Sequence, residues 1–334
     1  MKAAFVSEGG GIGSIVIEDV EVPAPAPHEA QVRLHAATLN FRDVIVAKNL
    51  LASMGGITMG RDRVVPMSCA SGVVAAVGSE VTRVKVGDRV SPIFAQGWLH
   101  GREPTMDMLG AGHDGVARQI ANFSAESLVL NPDELGDMDA ATFACAGLTA
   151  WNALFLDRPL QPGEWVLCHG TGGVSLAALQ FAKAHGANVV LTSSSDAKLR
   201  RGKALGADVT LNYRTDSDWA AKARAASGGI AIVVDVAGAE QLEANVSALA
   251  GDGMIAAIGM LGSDFSWSKM GETEARIVPI NVGNRDEHED MVAFCARHRI
   301  RPVVDVVYDL ERIQDAYRHL ESGQFFGKVG LNLL

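Results

Sequence analysis

Gly170-Thr171-Gly172-Gly173 is a run that can cradle a phosphate. Glycines between a strand and a helix leave backbone N–H groups unpaired, aim the positive end of a helix dipole at an anion, and let a pyrophosphate come close where Cβ atoms are missing. The third glycine of a G-x-G-x-x-G pattern would fall at Ser175, which is small enough for the helix to pack on its strand. About 20 residues beyond the glycines, an NAD enzyme usually places an acid for the ribose 2′-hydroxyl. Here the chain reads Thr192-Ser193-Ser194-Ser195-Asp196, with Lys198 close behind. Hydroxyls and an ammonium accept a 2′-phosphate that a carboxylate would repel, so NADP is expected over NAD. Ser195 or Asp196 is expected to cap the next helix. The plain alternative for the glycines is a tight corner with no ligand.

Those residues require particular elements around them. Residues 165–168 form the apolar run of a buried parallel strand, and from Val174 the spacing becomes helical through Leu179, Phe181 and Ala182. A second strand at 188–191, a helix at 198–205 and a stop at Gly206 complete a βαβ unit. Strands at 209–211, 230–236, 254–258 and 275–282 follow, and a long helix at 140–156 precedes. The first 130 residues are instead β-rich, with runs at 14–22, 31–37, 72–77 and 89–93 between prolines and glycines, and one helix at 41–48. The end of the chain adds a strand after Arg301, a helix at 310–320 and a strand ending at Leu333. A sheet-rich part beside a doubly wound part predicts a substrate domain and a cofactor domain.

With 334 residues, 48% of them apolar, the chain can bury a large core. Its formal net charge of −10 argues against nucleic acid or an anionic membrane as main partner and ordinarily means solubility; the partner expected is a small-molecule substrate. The four cysteines make no C-x-x-C pair, and the first residues lack an apolar signal core, so a reduced, cytoplasmic protein is expected. The longest apolar passage, 140–156, falls short of the ~20 residues that a spanning helix needs and reads as a buried helix.

Several passages, in order, resemble the medium-chain dehydrogenase/reductase superfamily on its zinc-independent, quinone-oxidoreductase-like branch. They are Leu39-Asn40-Phe41-Arg42-Asp43, Ser71-Gly72-Val73-Val74, Val86-Gly87-Asp88-Arg89-Val90, Cys145-Ala146-Gly147-Leu148-Thr149-Ala150-Trp151, the glycine turn, Leu205-Gly206-Ala207-Asp208, Asn212-Tyr213-Arg214 and Phe326-Gly327-Lys328-Val329. The resemblance implies an α/β fold: a Rossmann doubly wound parallel sheet domain, residues 138–281, inserted into a GroES-like β-barrel domain, residues 1–137 and 282–334. It also implies a homodimer, for which 254–260 and 275–282 are candidate edge strands. Carried over by motif, Gly170, Thr171, Gly172, Gly173 and Val174 would hold the pyrophosphate. Ser193, Ser194, Lys198 and Tyr213 would surround the 2′-phosphate and adenosine. Thr149, Ile258, Gly259, Val282, Gly283 and Asn284 would line the ribose and nicotinamide, with Asn40 and Lys328 reaching in from the barrel. Taken alone, Thr149 could bond to its own turn, Tyr213 could be a packed strand residue, and Lys328 a solvated charge.

Zinc relatives in this superfamily bind catalytic metal through Cys, His and Cys. The corresponding positions here are Asn40, Ser68 followed by Cys69, and Cys145, a poor set for zinc, so no zinc is expected. Cys69 and Cys145 read as small apolar residues; the alternative is that they converge, with His113 nearby. Without a Lewis acid the substrate should be activated by its own conjugation, a quinone or an α,β-unsaturated carbonyl that takes hydride. Asn40 is the candidate donor to the developing oxyanion, with the proton drawn from solvent. Phe41, Trp98 and Met106-Asp107-Met108 are candidates for the acceptor pocket. Competing readings are a zinc-type alcohol dehydrogenase, an enoyl-thioester reductase with Arg61, Arg63 and Arg102 at its entrance, and a non-catalytic NADPH-binding redox sensor.

Overall fold

The computed structural model describes residues 1–50, 62–105, 107–259 and 273–334; Arg61, Met106 and Met260, named above, lie outside the described residues. In chain order the described strands are β1 (Lys2–Ser7), β2 (Val16–Asp19), β3 (Glu29–Thr38), β4 (Arg63–Val64), β5 (Cys69–Val77), β6 (Arg89–Pro92), β7 (Ile120–Ser124) and β8 (Leu128–Leu130). They continue as β9 (Trp165–His169), β10 (Asn188–Ser193), β11 (Val209–Asn212), β12 (Ile230–Asp235), β13 (Leu249–Ala257), β14 (Arg276–Pro279), β15 (Val304–Asp309) and β16 (Lys328–Asn332). The chain divides into two compact units, Met1–Leu148 with Val282–Leu334, and Thr149–Asn281.

The first unit is built around β3, whose alternating inner side chains Ala30, Val32 and Leu34 enter one apolar core with Val74, Val90, Leu128, Val329 and Leu331. Its main sheet runs β15-β16-β3-β5-β6-β8, with β7 also on β3, and a smaller sheet runs β2-β1-β4. Apart from the parallel pair β15 and β16, these strands are antiparallel, which is the GroES-like barrel pattern. The C-terminal strand β16 pairs with β3, so the end of the chain completes the unit that its beginning starts.

The second unit is a parallel sheet in the order β11-β10-β9-β12-β13-β14. Its central strand β12 is buried at every residue, as a strand covered by helices on both faces must be. The order reverses between β9 and β12, so the switch point of a Rossmann fold lies at the carboxyl end of β9. The glycine turn follows that end directly.

Three sequence expectations change. The helix at 140–156 is broken into Asp137–Ala140, a π-helical turn Phe143–Gly147 and Leu148–Phe155. Thr142 Oγ1 donates back to the Asp139 carbonyl at 2.7 Å, and the Gly147 N–H reaches five residues back to Thr142 O. Residues 254–257 are no edge: β13 lies between β12 and β14, because its buried run Gly253–Ala256 needs a neighbour on both sides. Strands β1, β4, β7 and β8 lie outside the runs expected from the sequence; β4 and β8 have only two and three residues, too few to show a period of two.

Candidate active site

In the second unit, the carboxyl ends of β9, β10, β11 and β13 bring most of the expected cofactor residues to one edge of the sheet. Gly170 has φ +73°, a left-handed conformation open to glycine, and Gly172 caps the helix Gly173–Ala184. Cβ atoms at Gly170 and Gly172 would meet nothing within 4 Å, so the turn leaves the open cradle that a pyrophosphate requires. Thr171 and Ser175 are buried, and the Ser175 hydroxyl donates to the His169 carbonyl at 2.5 Å. That bond ties the helix to its strand and gives the serine a structural reason at the place of the third glycine.

Ser193 ends β10, and its carbonyl accepts the Tyr213 N–H at 3.2 Å, which joins the ends of β10 and β11. The Ser193 hydroxyl accepts from the Ser195 N–H at 3.3 Å. Ser195 caps the helix Asp196–Ala204 by accepting from Lys198 N, so the capping serine lies between the two phosphate candidates Ser194 and Lys198. Tyr213 is 44% exposed and is not a packed strand residue. Ile258 and Gly259 both donate their N–H groups to Asp235 O at 2.9 Å. A Cβ on Gly259 would stand 2.3 Å from the Val236 carbonyl carbon, so only glycine permits that approach. Thr149 is buried at the start of the helix Leu148–Phe155.

Beneath these turns runs a buried polar chain that sequence reasoning missed. Asp235 Oδ1 accepts the N–H groups of Ala237 and Gly238 at 2.9 and 3.0 Å, and its Oδ2 accepts from Asn245 at 3.3 Å. Asn245 Oδ1 takes a hydrogen bond from His169 Nε2 at 2.7 Å, which leaves Nδ1 to accept from Thr192 Oγ1 at 3.1 Å. Burial holds His169 neutral, against the pull of Asp235 and Asn245. The chain fixes the ends of β9, β10 and β12 relative to one another, and its members are spread over 77 residues with no local motif to reveal them.

The first unit holds a second constellation. Asn40 precedes the helix Phe41–Ala47, and the Asp43 carboxylate accepts its backbone N–H at 2.8 Å, which leaves the Asn40 side chain free to turn inward. Its carbonyl accepts from Lys328 Nζ at 2.6 Å, and its amide donates to Cys69 Sγ at 3.1 Å. Lys328 also donates to Leu39 O. It is only 5% exposed, so this is no solvated surface charge. Cys69 and Cys145 do converge: each thiol bears on the ionisation of the other. Burial pushes the Cys69 thiol up, but the Cys145 bond, the Lys328 charge and the Asn40 amide outweigh it and bring it down to about 7, while its partner Cys145 is held well above the usual range. Asp43 is fully buried, and burial raises its carboxyl despite Arg42, the Asn40 N–H and Lys328.

Cys145 lies in the π-helical turn and packs on an apolar cluster of Phe94, Ala95 and Trp98 with Met108 and Val282. Trp98 is thus a buried wall residue, with its Nε1 bonded to Gly101 O at 2.9 Å. Arg42 lies over the Phe94 ring at 4.8 Å. Phe41 is 42% exposed on the first turn of its helix. Gly283 is buried, and Asn284 has its side chain committed. Asn284 caps the helix Arg285–His298, accepting from Glu287 N at 2.9 Å and donating to Gly101 O at 3.0 Å. His113 is exposed and takes no part in the cysteine site. Arg63 is paired with Glu18 at 2.7 Å and stacked on Phe5.

Among the described residues no three His, Cys, Asp or Glu side chains group closely enough to hold a metal ion. The donor chemistry around Cys69 and Cys145 fits zinc poorly. The third position is an amide whose oxygen already binds an ammonium and whose nitrogen faces the sulfur. No helix among the described residues is long and apolar enough to cross a membrane.

The alcohol dehydrogenase GroES-like domain model matches residues 26–133, and the zinc-binding dehydrogenase model matches residues 173–297. The chain is 37% identical to the zinc-type alcohol dehydrogenase-like protein C1773.06c of Schizosaccharomyces pombe, over 98% of this chain and 97% of that one. It is similar to the solved structure of an NAD-dependent alcohol dehydrogenase (32% identity, TM-score 0.86, 99% of each chain). It is also similar to a quinone oxidoreductase of Pseudomonas syringae pv. tomato DC3000 (26% identity, TM-score 0.83, 99% of each chain).

Proposed function

The chain belongs to the medium-chain dehydrogenase/reductase superfamily, and from that premise we propose that it is an NADPH-dependent reductase of quinones or α,β-unsaturated carbonyls that works without catalytic zinc. Membership makes it an NAD(P)-dependent oxidoreductase; the acceptor, the phosphate and the absence of zinc are the proposal. The observation that carries it is the buried line Lys328, Asn40, Cys69. An ammonium beside the third ligand position repels a divalent cation, and it polarises the Asn40 amide instead.

Gly170, Thr171, Gly172, Gly173 and Val174 would hold the pyrophosphate, and Ser193, Ser194 and Lys198 the 2′-phosphate. When bound, NADPH supplies hydride to the β-carbon of the acceptor. Asn40 Nδ2 keeps a second N–H beyond the one given to Cys69, and it would donate to the oxyanion that forms as hydride arrives. The Lys328 bond to the amide oxygen draws electron density from that N–H and makes it the better donor. Trp98, Phe94 and Val282 would keep water from the acceptor. A homodimer paired through β14, the outer strand of the sheet among the described residues, belongs to the same reading.

NADPH and NADH oxidation, measured on metal-analysed protein with a panel of quinones and 2-alkenals, tests this. Turnover with NADPH and no zinc is expected. An NAD-dependent alcohol dehydrogenase is the second reading, favoured by the 32% identical relative of that name. Alcohol oxidation with stoichiometric zinc would establish it and sink the first.

A further inference from the structure

We propose that Trp98 is the residue that limits the size of the acceptor, and that Asn284 is the positioning residue that holds it in place through a shared partner, the Gly101 carbonyl. Trp98 Nε1 donates to Gly101 O at 2.9 Å, and Asn284 Nδ2, 183 residues along the chain from Gly101, donates to the same oxygen at 3.0 Å. Both residues are 4% exposed, so neither donor has bulk water to turn to. Gly101 has φ +77°, the left-handed backbone that favours glycine, and a Cβ there would meet nothing within 4 Å. The main chain closes the same contact. The N–H groups of Arg285 and Asp286, which open the helix after Asn284, donate to Trp98 O at 3.0 Å and to Leu99 O at 3.4 Å. Residues 96–105, which form neither helix nor strand, are thereby fastened to the start of a 14-residue helix.

What this fastening positions is a ring. Trp98 packs with Phe94 and Ala95 in the small apolar cluster that Met108, Cys145 and Val282 join, the cluster assigned above to the acceptor. Val282 stands two residues before Asn284, so part of the cluster and its tether come from one short segment. An indole held at a fixed place excludes a bulky acceptor by a clash that a mobile ring would relieve. The Asn284 side chain divides its work between two atoms: Oδ1 accepts from Glu287 N at 2.9 Å as the helix cap, and Nδ2 holds Gly101. These roles can be separated, because serine and aspartate cap a helix about as well as asparagine, and neither supplies the amide N–H. The inference rests on the proposed reading only in taking this cluster as the wall beside the acceptor.

The test compares the full chain and its Asn284→Ser variant in kcat/KM for short and long 2-alkenals and for one-ring and two-ring quinones, at saturating NADPH. The ratio of long to short, and of two-ring to one-ring, should rise about fivefold as the ring is released. Trp98→Leu, which removes the ring, should raise the ratio at least as far. Adding Asn284→Ser to Trp98→Leu should move it no further, because Asn284 acts through Trp98. Asn284→Asp keeps the cap and should repeat the shift if the serine variant does not fold. A loss that falls equally on every acceptor, as damage to the cofactor site or to the fold would give, overturns the proposal, and so do shifts that multiply in the double variant. If the protein instead oxidises alcohols, the same ratio is taken with short and long primary alcohols. A shift there keeps the role of Trp98 while the quinone and enal reading falls, and no turnover on any series removes both.

Discussion

Lys328 and Asn40, 288 residues apart in sequence, are joined by a buried hydrogen bond of 2.6 Å from ammonium to amide oxygen. In the proposed reaction this bond is one end of a relay to the oxyanion donor, so removing either partner should disable the same donor. Asn40→Ala and Lys328→Met are each expected to lower kcat about 100-fold, and the double variant no more than the worse single, because the two act as a unit. Independent, multiplying losses in steady-state kinetics would show that the two side chains work separately.

The preference for NADPH should rest on Ser194 and Lys198, which flank the capping Ser195. Ser194→Asp places a carboxylate at the end of β10, where it repels a 2′-phosphate and can accept from a ribose hydroxyl. The ratio of kcat/KM for NADPH over NADH should fall about tenfold or more, about 1.4 kcal/mol of discrimination or greater. An unchanged ratio would remove this end of β10 from the phosphate site.

Most of the second unit was legible in the chain because its signals are local. An apolar run, a glycine turn and a helical stripe follow one another within 21 residues, and the sheet order follows from the winding. The helix at 140–156 was misread because Thr142 and its π-turn are a local choice of hydrogen-bond partner that apolar spacing does not encode. The convergence of Cys69 and Cys145 has no local signal, since nothing in a pair of scattered cysteines says that two distant segments meet. Asp235, Asn245 and His169 escaped for the same reason: each is unremarkable in its own segment, and only the parallel packing of β9 and β12 makes them a chain.

Two glycines of the cofactor unit should respond in opposite ways to the same added methyl. Gly172 has ordinary extended backbone angles and open space where a Cβ would go, so Gly172→Ala should fold with a stability within about 1 kcal/mol of wild type. Its methyl would enter the cradle, and NADPH should bind on the order of tenfold more weakly. Gly259→Ala drives a methyl into the Val236 backbone and should cost at least about 2 kcal/mol of stability. Thermal melts with and without NADPH separate the two effects. A Gly172→Ala protein that binds NADPH at wild-type strength would mean the turn is only a corner.

His288 should make the fold acid-sensitive well before the carboxylates do. It is fully buried in the helix Arg285–His298, neither ring nitrogen has a hydrogen-bond partner among the described residues, and burial brings its pKa down to about 4. Between that value and the ordinary histidine range the unfolded chain binds a proton that the folded chain refuses, so stability rises with pH across this window. The penalty grows as pH falls from about 6.5 and reaches roughly 3 kcal/mol near pH 4. Asp137 works from the other side. Burial raises its carboxyl, but the bonds from Arg89 and His35 more than offset this and hold it low, so its contribution is present above the ordinary carboxylate range and lost only below it. His288→Leu replaces an unpaired ring by apolar volume and should flatten the dependence of Tm on pH between about 4.5 and 7, with little cost at neutral pH. His169, also held neutral by burial, accounts for the slope that remains. An equally steep slope in the variant would show that His288 is protonated, or bonded to water, in the folded protein.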